Sequence, residues 1–281
     1  MTDNWGFYER RTESEQLRVL INVGYKGKAP LAGYSDLLSI TINLYPVRAH
    51  NRSNRDFVKQ LEQLESMLER WLGKEDAIYI GRINAATRLE FYYYTKDDAP
   101  DLPEIRAWLE QNWRFRAQVY RKKDEQWEFY HFLLPNELEE MFVHNAQMIY
   151  ALIHKGDNIG QPRNVYHWLL FREDDDRREI APVLEELGYV IEKEKESRTD
   201  LGYPYPLVIS RFEDVRLDTV NERVRELHAL LAGSGGRYDG WGSVMKLSAA
   251  GRVRRFLRRR RSAFETALHK MFPCRNSQSG N

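Results

Sequence analysis

Three short segments of this 281-residue chain carry side chains that could bind another molecule. An acidic run from Glu173 to Asp176 could hold a cation or face a basic protein surface. The glycine-rich segment Gly233–Gly242 holds a tyrosine, an aspartate and a tryptophan between glycines. The segment Arg252–Arg261 contains seven arginines in ten residues and could neutralise several phosphates.

The acidic run is expected to begin a helix. It consists of Glu173, Asp174, Asp175 and Asp176. Consecutive helical residues do not converge on one ion, and no glycine-containing calcium loop surrounds them, so we expect no metal site. Carboxylates at a helix start are stabilised by its positive end. Two interpretations stay open: a solvated helix start, and a contact for a basic partner. We take the run as candidate partner-binding residues.

The glycine-rich segment is expected to form a short final strand or turn. Asp239-Gly240 is a favourable turn dipeptide, since glycine tolerates positive φ. Tyr238 and Trp241 either pack back onto the sheet or present an aromatic contact to a partner, because tyrosine and tryptophan are frequent at interface hot spots. Tyr238, Asp239 and Trp241 therefore join the candidate partner-binding residues.

The arginine-rich segment lies in a C-terminal tail, residues 247–281, that we expect to be mobile. Its candidate nucleic-acid-binding residues are Arg252, Arg254, Arg255, Arg258, Arg259, Arg260 and Arg261. Such contacts would read the RNA backbone rather than its bases. A solvated tail without a ligand and docking onto an acidic surface are the alternatives.

Charge divides the chain. Residues 157–246 carry 13 basic and 18 acidic side chains, whereas residues 247–281 carry nine basic and one acidic. The whole chain has a formal net charge of +1. An acidic body with a basic tail predicts two different binding surfaces.

Signals for catalysis are absent from the sequence. The seven histidines are scattered, the one cysteine, Cys274, lies in the tail, and neither a nucleophile elbow nor a phosphate-binding loop is present. We predict no enzyme activity, no catalytic residue, no metal and no cofactor. No signal peptide or membrane-spanning run is seen, so we expect no membrane contact and a cytoplasmic location.

The first half of the chain predicts an antiparallel sheet with two helices. Strands are predicted at Leu17–Val23, Leu37–Leu44, Ala77–Ile83 and Leu89–Thr95 from β-branched and aromatic runs, and then at "RAQVYRK" and "WEFYHFLL". One helix follows a capping box at Ser53 and Asp56, and another follows Asp101. In the strand "FYYY", from Phe91, we expect one aromatic pair in the core and the other half-exposed.

The second half predicts β-α-β-β-α-β after a long helix, Asn136 to Lys155. Its strands are "VYHWLLF", "YVIEKEKE", "YPLVISRF" and the segment at Tyr238. Pro182 marks either a kink or a later start of the acidic helix. Asp218 is expected to cap the last helix. This order is the ferredoxin-like arrangement, so the fold class is α+β with two domains.

The segments "NVYHWLLFREDDDRREIAPVLEELGYVI", "PLVISR" and "GGRYDGWGSV" resemble the regulator of ribonuclease E activity B family. The resemblance covers about Leu138 to Lys246. It implies a ferredoxin-like domain that binds an endoribonuclease E-like partner and lowers its activity without catalysis. RNA binding by a nucleic-acid adaptor, through the arginine tail, is the alternative function.

The segments "WGFYERR" and "RLEFYYYT" are similar to a bacterial domain of unknown function, DUF695, often fused to such regulator domains. We therefore predict an N-terminal domain at 1–135, a ribonuclease E regulator-like domain at 136–246 and the basic tail at 247–281.

Overall fold

A computed structural model describes residues 3–44, 54–73, 76–113, 116–194 and 202–248. The chain divides into two compact units, Met1–Val143 and His144–Asn281. The predicted domain boundary at residue 135 stays a prediction.

The N-terminal unit is built on a six-stranded antiparallel sheet. Its strands are β1 Trp5–Arg11, β2 Gln16–Asn22, β3 Asp36–Asn43, β4 Ala77–Asn84, β5 Arg88–Thr95 and β6 Ala117–Lys123. They lie in the order β1-β2-β4-β5-β3-β6. A 3₁₀ turn, Val23–Tyr25, follows β2. The predicted strands from Leu17 to Lys122 are confirmed.

Two helices pack on one face of this sheet. They are α1, Asn54–Leu72, and α2, Leu102–Asn112. Leu64, Leu68 and Leu72 of α1 are buried against the strands in the main apolar cluster. Asp101 caps α2 as predicted, because its Oδ1 accepts the Glu104 N–H at 2.8 Å. The predicted cap Ser53 and the side chain of Asp56 lie outside the described residues.

The aromatic strand β5 buries both of its faces. Phe91 and Tyr93 face α1 and α2, and Tyr92 and Tyr94 face the opposite side. All four rings are buried, so the expectation that one pair is half-exposed is wrong. The reason is a third helix on the opposite face, which covers Tyr92 and Tyr94.

That third helix, α3, spans Glu128–Leu133, where the sequence predicted the strand "WEFYHFLL". The strand prediction is wrong. Asp124 stabilises the start of this helix, because its carboxylate oxygens accept hydrogen bonds from the N–H groups of Glu128 and Phe129 at 2.9 and 3.1 Å. Trp127 precedes α3 with φ 56°, and its ring stacks on Tyr94 with centroids 4.0 Å apart.

The long helix α4 spans Glu137–His154, close to its predicted range. Asn136 and Glu139 bond reciprocally at its start, the N–H of each to the side chain of the other. The division between the two units falls within this helix.

The C-terminal unit contains a four-stranded antiparallel sheet. Its strands are β7 Arg163–Phe171, β8 Val190–Glu194, β9 Tyr205–Glu213 and β10 Gly236–Ser243. Their order is β10-β7-β9-β8, with the first and third strands in the centre. This is the predicted ferredoxin-like arrangement, and the predicted α+β class is confirmed.

Two helices cross between these strands: α5, Asp174–Glu186, and α6, Leu217–Leu231. They bury Ile180 and Leu184 of α5 and Val224 and Leu227 of α6. The same interior holds Leu169 of β7.

Two details of the predicted helices are corrected. Helix α5 runs through Pro182 from Asp174, so a later start is wrong; Pro182 is exposed, and water can reach the carbonyl it leaves without a helical partner. Asp218 does not cap α6. Asp214 holds its start instead, accepting the Arg216 N–H at 3.1 Å and the Thr219 hydroxyl at 2.7 Å.

Candidate functional site

The acidic run lies two residues after the end of β7, with Glu173 at the N-cap of α5 and Asp174, Asp175 and Asp176 in its first turn. Glu173 and Asp175 are exposed, and Asp174 and Asp176 are half-buried. Asp174 forms ion pairs with Arg177 at 2.5 Å and Arg178 at 2.6 Å. Within the described ranges no ion pair is seen for Glu173 or Asp175. Within the run, the carboxylates of Glu173 and Asp175 are therefore the ones available to bind a partner.

The acidic surface continues along the outward side of α5. Asp175, Glu179 and Glu186 recur at helical spacing, which places them on one exposed stripe. Val183 and Leu187 lie beside that stripe with about two-fifths of their surface exposed. We call this surface, from Asp175 to Leu187, the α5 face. It combines negative charge with a small apolar area.

Tyr238 and Trp241 of β10 are buried, at 7% and 6% exposure. Tyr238 Oη lies 2.9 Å from His167 Nδ1, and Trp241 Nε1 donates to Asn145 Oδ1 at 2.8 Å. Asn145 Nδ2 in turn donates to Asn221 Oδ1 at 3.0 Å. Both rings thus pack back onto the sheet, which is the first of the two readings of this segment.

A β-bulge explains why both rings point inward. Residues three apart in a regular strand face opposite sides of a sheet. In β10 the register shifts between Tyr238 and Gly240, so Tyr238 pairs with Leu169 and Trp241 with His167. Asp239, the extra residue, is exposed and lies 3.5 Å from Arg237.

The buried His167 is held neutral. Burial, and after it the positive charge of Arg223, lowers the pKa of His167 to about 4. Its Nε2 is buried and has no hydrogen-bond partner in the described part of the chain. A neutral, enclosed imidazole bonded to a tyrosine is a core group and is not positioned for catalysis.

The structure brings the acidic run close to the glycine-rich segment. Gly235 has φ 66°, and a Cβ there would lie 2.3 Å from Asp176 Oδ2. A Cβ on Gly236 would lie within 2.7 Å of buried Leu231 and Phe171 atoms. These glycines are required because the loop before β10 passes directly against α5 and the sheet.

Two arginines that the sequence did not single out lie at the same end of the sheet. Arg172 and Arg237 each place a guanidinium carbon near the Tyr203 ring, at 5.1 and 5.0 Å from its centroid. Arg172 also donates to the Tyr203 hydroxyl at 3.2 Å. In the sequence, only the positions of these two arginines at the ends of predicted strands could have indicated that they lie close together. The local surface is therefore mixed in charge.

The other predicted features are placed as follows. The arginines from Arg252 to Arg261 lie outside the described residues, and RNA binding by the tail stays a prediction. Among the described residues, no group of three or more histidine, cysteine, aspartate or glutamate side chains could hold a metal ion. In that same part of the chain, no helix is long and apolar enough to cross a bilayer.

Comparison with known proteins assigns the two units. Residues 143–243 match the family described as Regulator of ribonuclease activity B. Residues 3–134 match a family of unknown function, DUF695. A search of curated proteins found no match. The chain therefore consists of an N-terminal DUF695 domain followed by a domain of the Regulator of ribonuclease activity B family, the fusion that the sequence predicted.

Proposed function

We propose that the C-terminal domain binds an endoribonuclease of the ribonuclease E type and lowers its activity, and that this chain catalyses no reaction itself. The match of residues 143–243 to the Regulator of ribonuclease activity B family carries the proposal. That match supports regulation of ribonuclease activity; inhibition and the type of enzyme are our inference.

The α5 face is the proposed contact. Its exposed carboxylates at Asp175, Glu179 and Glu186 suit a lysine- and arginine-rich surface, and Val183 and Leu187 add apolar area beside them. Charge complementarity of this kind speeds association and selects the partner. A ribonuclease binds the phosphates of RNA with basic surfaces. An acidic stripe would bind such a basic surface in competition with the RNA.

Tyr238 and Trp241 have a different place in this proposal. Since their side chains are buried, they would act by fixing β10 and the loop that meets Asp176. Exposed Glu173, just before the α5 face, and exposed Asp239, on β10, would contact the partner directly.

A binding assay with the full-length chain tests the contact. The variant Asp175→Asn/Glu179→Gln/Glu186→Gln removes three charges from the α5 face with little change in volume. The matched control Asp98→Asn/Glu104→Gln/Glu110→Gln removes three exposed charges from the N-terminal unit. Both are titrated against a purified ribonuclease E-type enzyme from the same cells.

We expect the α5 variant to bind about tenfold or more weakly at low salt, with the control unchanged, because rim charges act mainly on association. Cleavage of a fluorescent RNA by the enzyme should slow with the natural chain and with the control. Equal loss of binding in both variants would contradict the α5 face. Cleavage that is unaffected by saturating natural chain would contradict inhibition.

A further inference from the structure

A cavity of about 270 Å³ lies in the N-terminal unit, where one strand of the sheet stops early. β2 pairs with β4 as far as Ile21 and Gly81, and the chain then leaves the sheet in the turn Val23–Tyr25. The first residues of β4, from Ala77, therefore extend past β2. The start of β1, at Asp3 and Trp5, lines the gap from the other side.

Four aromatic side chains line this cavity: Trp5, Tyr25, Tyr79 and Tyr93. The rings of Trp5 and Tyr79 have centroids 5.3 Å apart, and those of Tyr79 and Tyr93 5.0 Å. A bulge between Tyr79 and Gly81 sets the direction of the Tyr79 ring. Aromatic faces are electron-rich and attract cations within about 6 Å of their centroids.

Two carboxylates lie beside the rings. Asp3 and Glu69 line the cavity, and no lysine or arginine is among its described lining residues. Asn22 Nδ2 donates to Asp3 Oδ1 at 3.1 Å and holds it at the rim. Burial, and after it the negative charge of Asp3, raises the pKa of Tyr25. The cavity therefore has a negative electrostatic environment.

Tyr93 contributes a hydroxyl that is not satisfied by the fold. Its side chain is 1% exposed, and its Oη is buried with no hydrogen-bond partner among the described residues. A buried hydroxyl without a partner costs about 1–3 kcal/mol. Tyr93 lines the cavity, so a ligand that displaces the side chains around this hydroxyl could supply the missing bond.

We propose that this cavity is a binding site for a small organic ammonium ion. The cationic group lies against the rings of Trp5 and Tyr79, and Asp3 and Glu69 balance its charge. A polar hydrogen or a hydroxyl of the ligand bonds to Tyr93 Oη. This site belongs to the N-terminal domain, so it is independent of the ribonuclease proposal.

Calorimetric titration of the full-length chain tests the site with choline and with 3,3-dimethyl-1-butanol, its uncharged isostere. We expect saturable binding of one choline per chain and at least about tenfold weaker binding of the isostere, because the isostere lacks the charge. No saturable choline signal at millimolar concentration overturns the proposal. Equal binding of both compounds also overturns it, since that would indicate an apolar cavity only.

Variants locate the binding. Trp5→Leu removes one wall and should weaken choline binding about 2-fold to 30-fold, the range of one cation–π contact. Tyr93→Phe should weaken binding without lowering the melting temperature, because the hydroxyl has no partner to lose. Tyr120→Leu, an exposed ring on the opposite edge strand, should change neither. Choline affinity unchanged in both Trp5→Leu and Tyr93→Phe places the binding elsewhere and overturns the assignment.

Discussion

The two units of this chain treat buried aromatic residues differently. In the C-terminal unit the polar end of each buried ring on β10 meets a specific partner: Tyr238 meets His167, and Trp241 meets Asn145. In the N-terminal unit most buried rings also bond at their polar ends, as Tyr94 does to Asp124 and Trp127 to the Tyr34 carbonyl. The hydroxyl of Tyr93, however, is buried with no partner among the described residues.

This difference indicates where we expect a binding site in each unit. Buried polar groups that are all paired specify one arrangement and leave nothing for a ligand. Tyr238 and Trp241 of the C-terminal unit follow this rule, although the Nε2 of His167 beside them is buried with no partner among the described residues. The contact that we propose for this unit is therefore on its exterior, at the α5 face. The N-terminal unit departs from it at Tyr93, beside a cavity.

The largest expected effect tests the aromatic packing of the N-terminal unit. Trp127→Ala should lower the free energy of unfolding of that unit by about 3–5 kcal/mol, the cost of truncating a buried aromatic ring. The ring is fully buried, stacks on Tyr94 and donates to the Tyr34 carbonyl at 2.7 Å. Urea unfolding followed by circular dichroism measures it, with Tyr120→Ala, which is exposed, as the control.

The next effect concerns the pH dependence of the C-terminal unit. His167 has a lowered pKa of about 4 in the fold and an ordinary value of 6.5 when unfolded, so protons bind the unfolded chain more readily. Its contribution is present above pH 6.5 and is lost as the pH falls from 6.5 to 4, about 3 kcal/mol in total.

Urea unfolding across that pH range checks the His167 prediction. The reference is His167→Phe/Tyr238→Phe, which removes both members of the pair and leaves no orphaned polar group. The natural chain should lose more stability between pH 6.5 and 4 than the reference does. Identical slopes would show that His167 is not held neutral.

A smaller effect tests the pairing of Trp241. Trp241→Phe keeps an aromatic ring but leaves Asn145 Oδ1 without its donor, which should cost about 1–3 kcal/mol. Trp168→Phe, on the opposite face of the same sheet, is the matched control and should cost less. If the two substitutions cost the same, ring size rather than the hydrogen bond matters at Trp241.

The smallest effect compares two adjacent hydroxyls on β5. Tyr94→Phe should cost about 1–2 kcal/mol, because Tyr94 Oη donates to Asp124 Oδ2 at 2.6 Å. Tyr93→Phe should stay within about 0.5 kcal/mol of the natural chain or stabilise it, since no partner is lost. Thermal unfolding without ligand measures both. A clear destabilisation by Tyr93→Phe would mean that its hydroxyl is satisfied.

Sequence patterns predicted most of the C-terminal fold. Its strands alternate, its helices repeat apolar residues every three or four positions, and glycines separate them, so local preference and tertiary packing agree. The strand prediction failed at "WEFYHFLL", whose run of aromatic residues favours a strand. The residues that are buried there, Trp127, Tyr130 and Leu133, recur every three positions, as on one face of a helix. Asp124 instead caps a helix there, and a strand would leave Tyr94 uncovered.

The candidate site was predictable only in part. Exposure of the acidic run follows from its charge, and the structure agrees for Glu173 and Asp175. The direction of Tyr238 and Trp241 could not be predicted, because it depends on a single extra residue in β10. The cavity at Tyr93 depends on where β2 ends relative to β4, a tertiary relation that no local pattern contains.

The bond between Trp241 and Asn145 decides where the chain can be cut. A fragment intended to carry the regulator domain must begin upstream of Asn145, early enough for α4 to form around it. A fragment that begins after Asn145 would lose the side-chain amide that bonds to both Asn221 and Trp241. The resulting fragment would expose Trp241, which is buried in the intact chain. Aggregation of that fragment in a pull-down could be mistaken for specific binding to a partner.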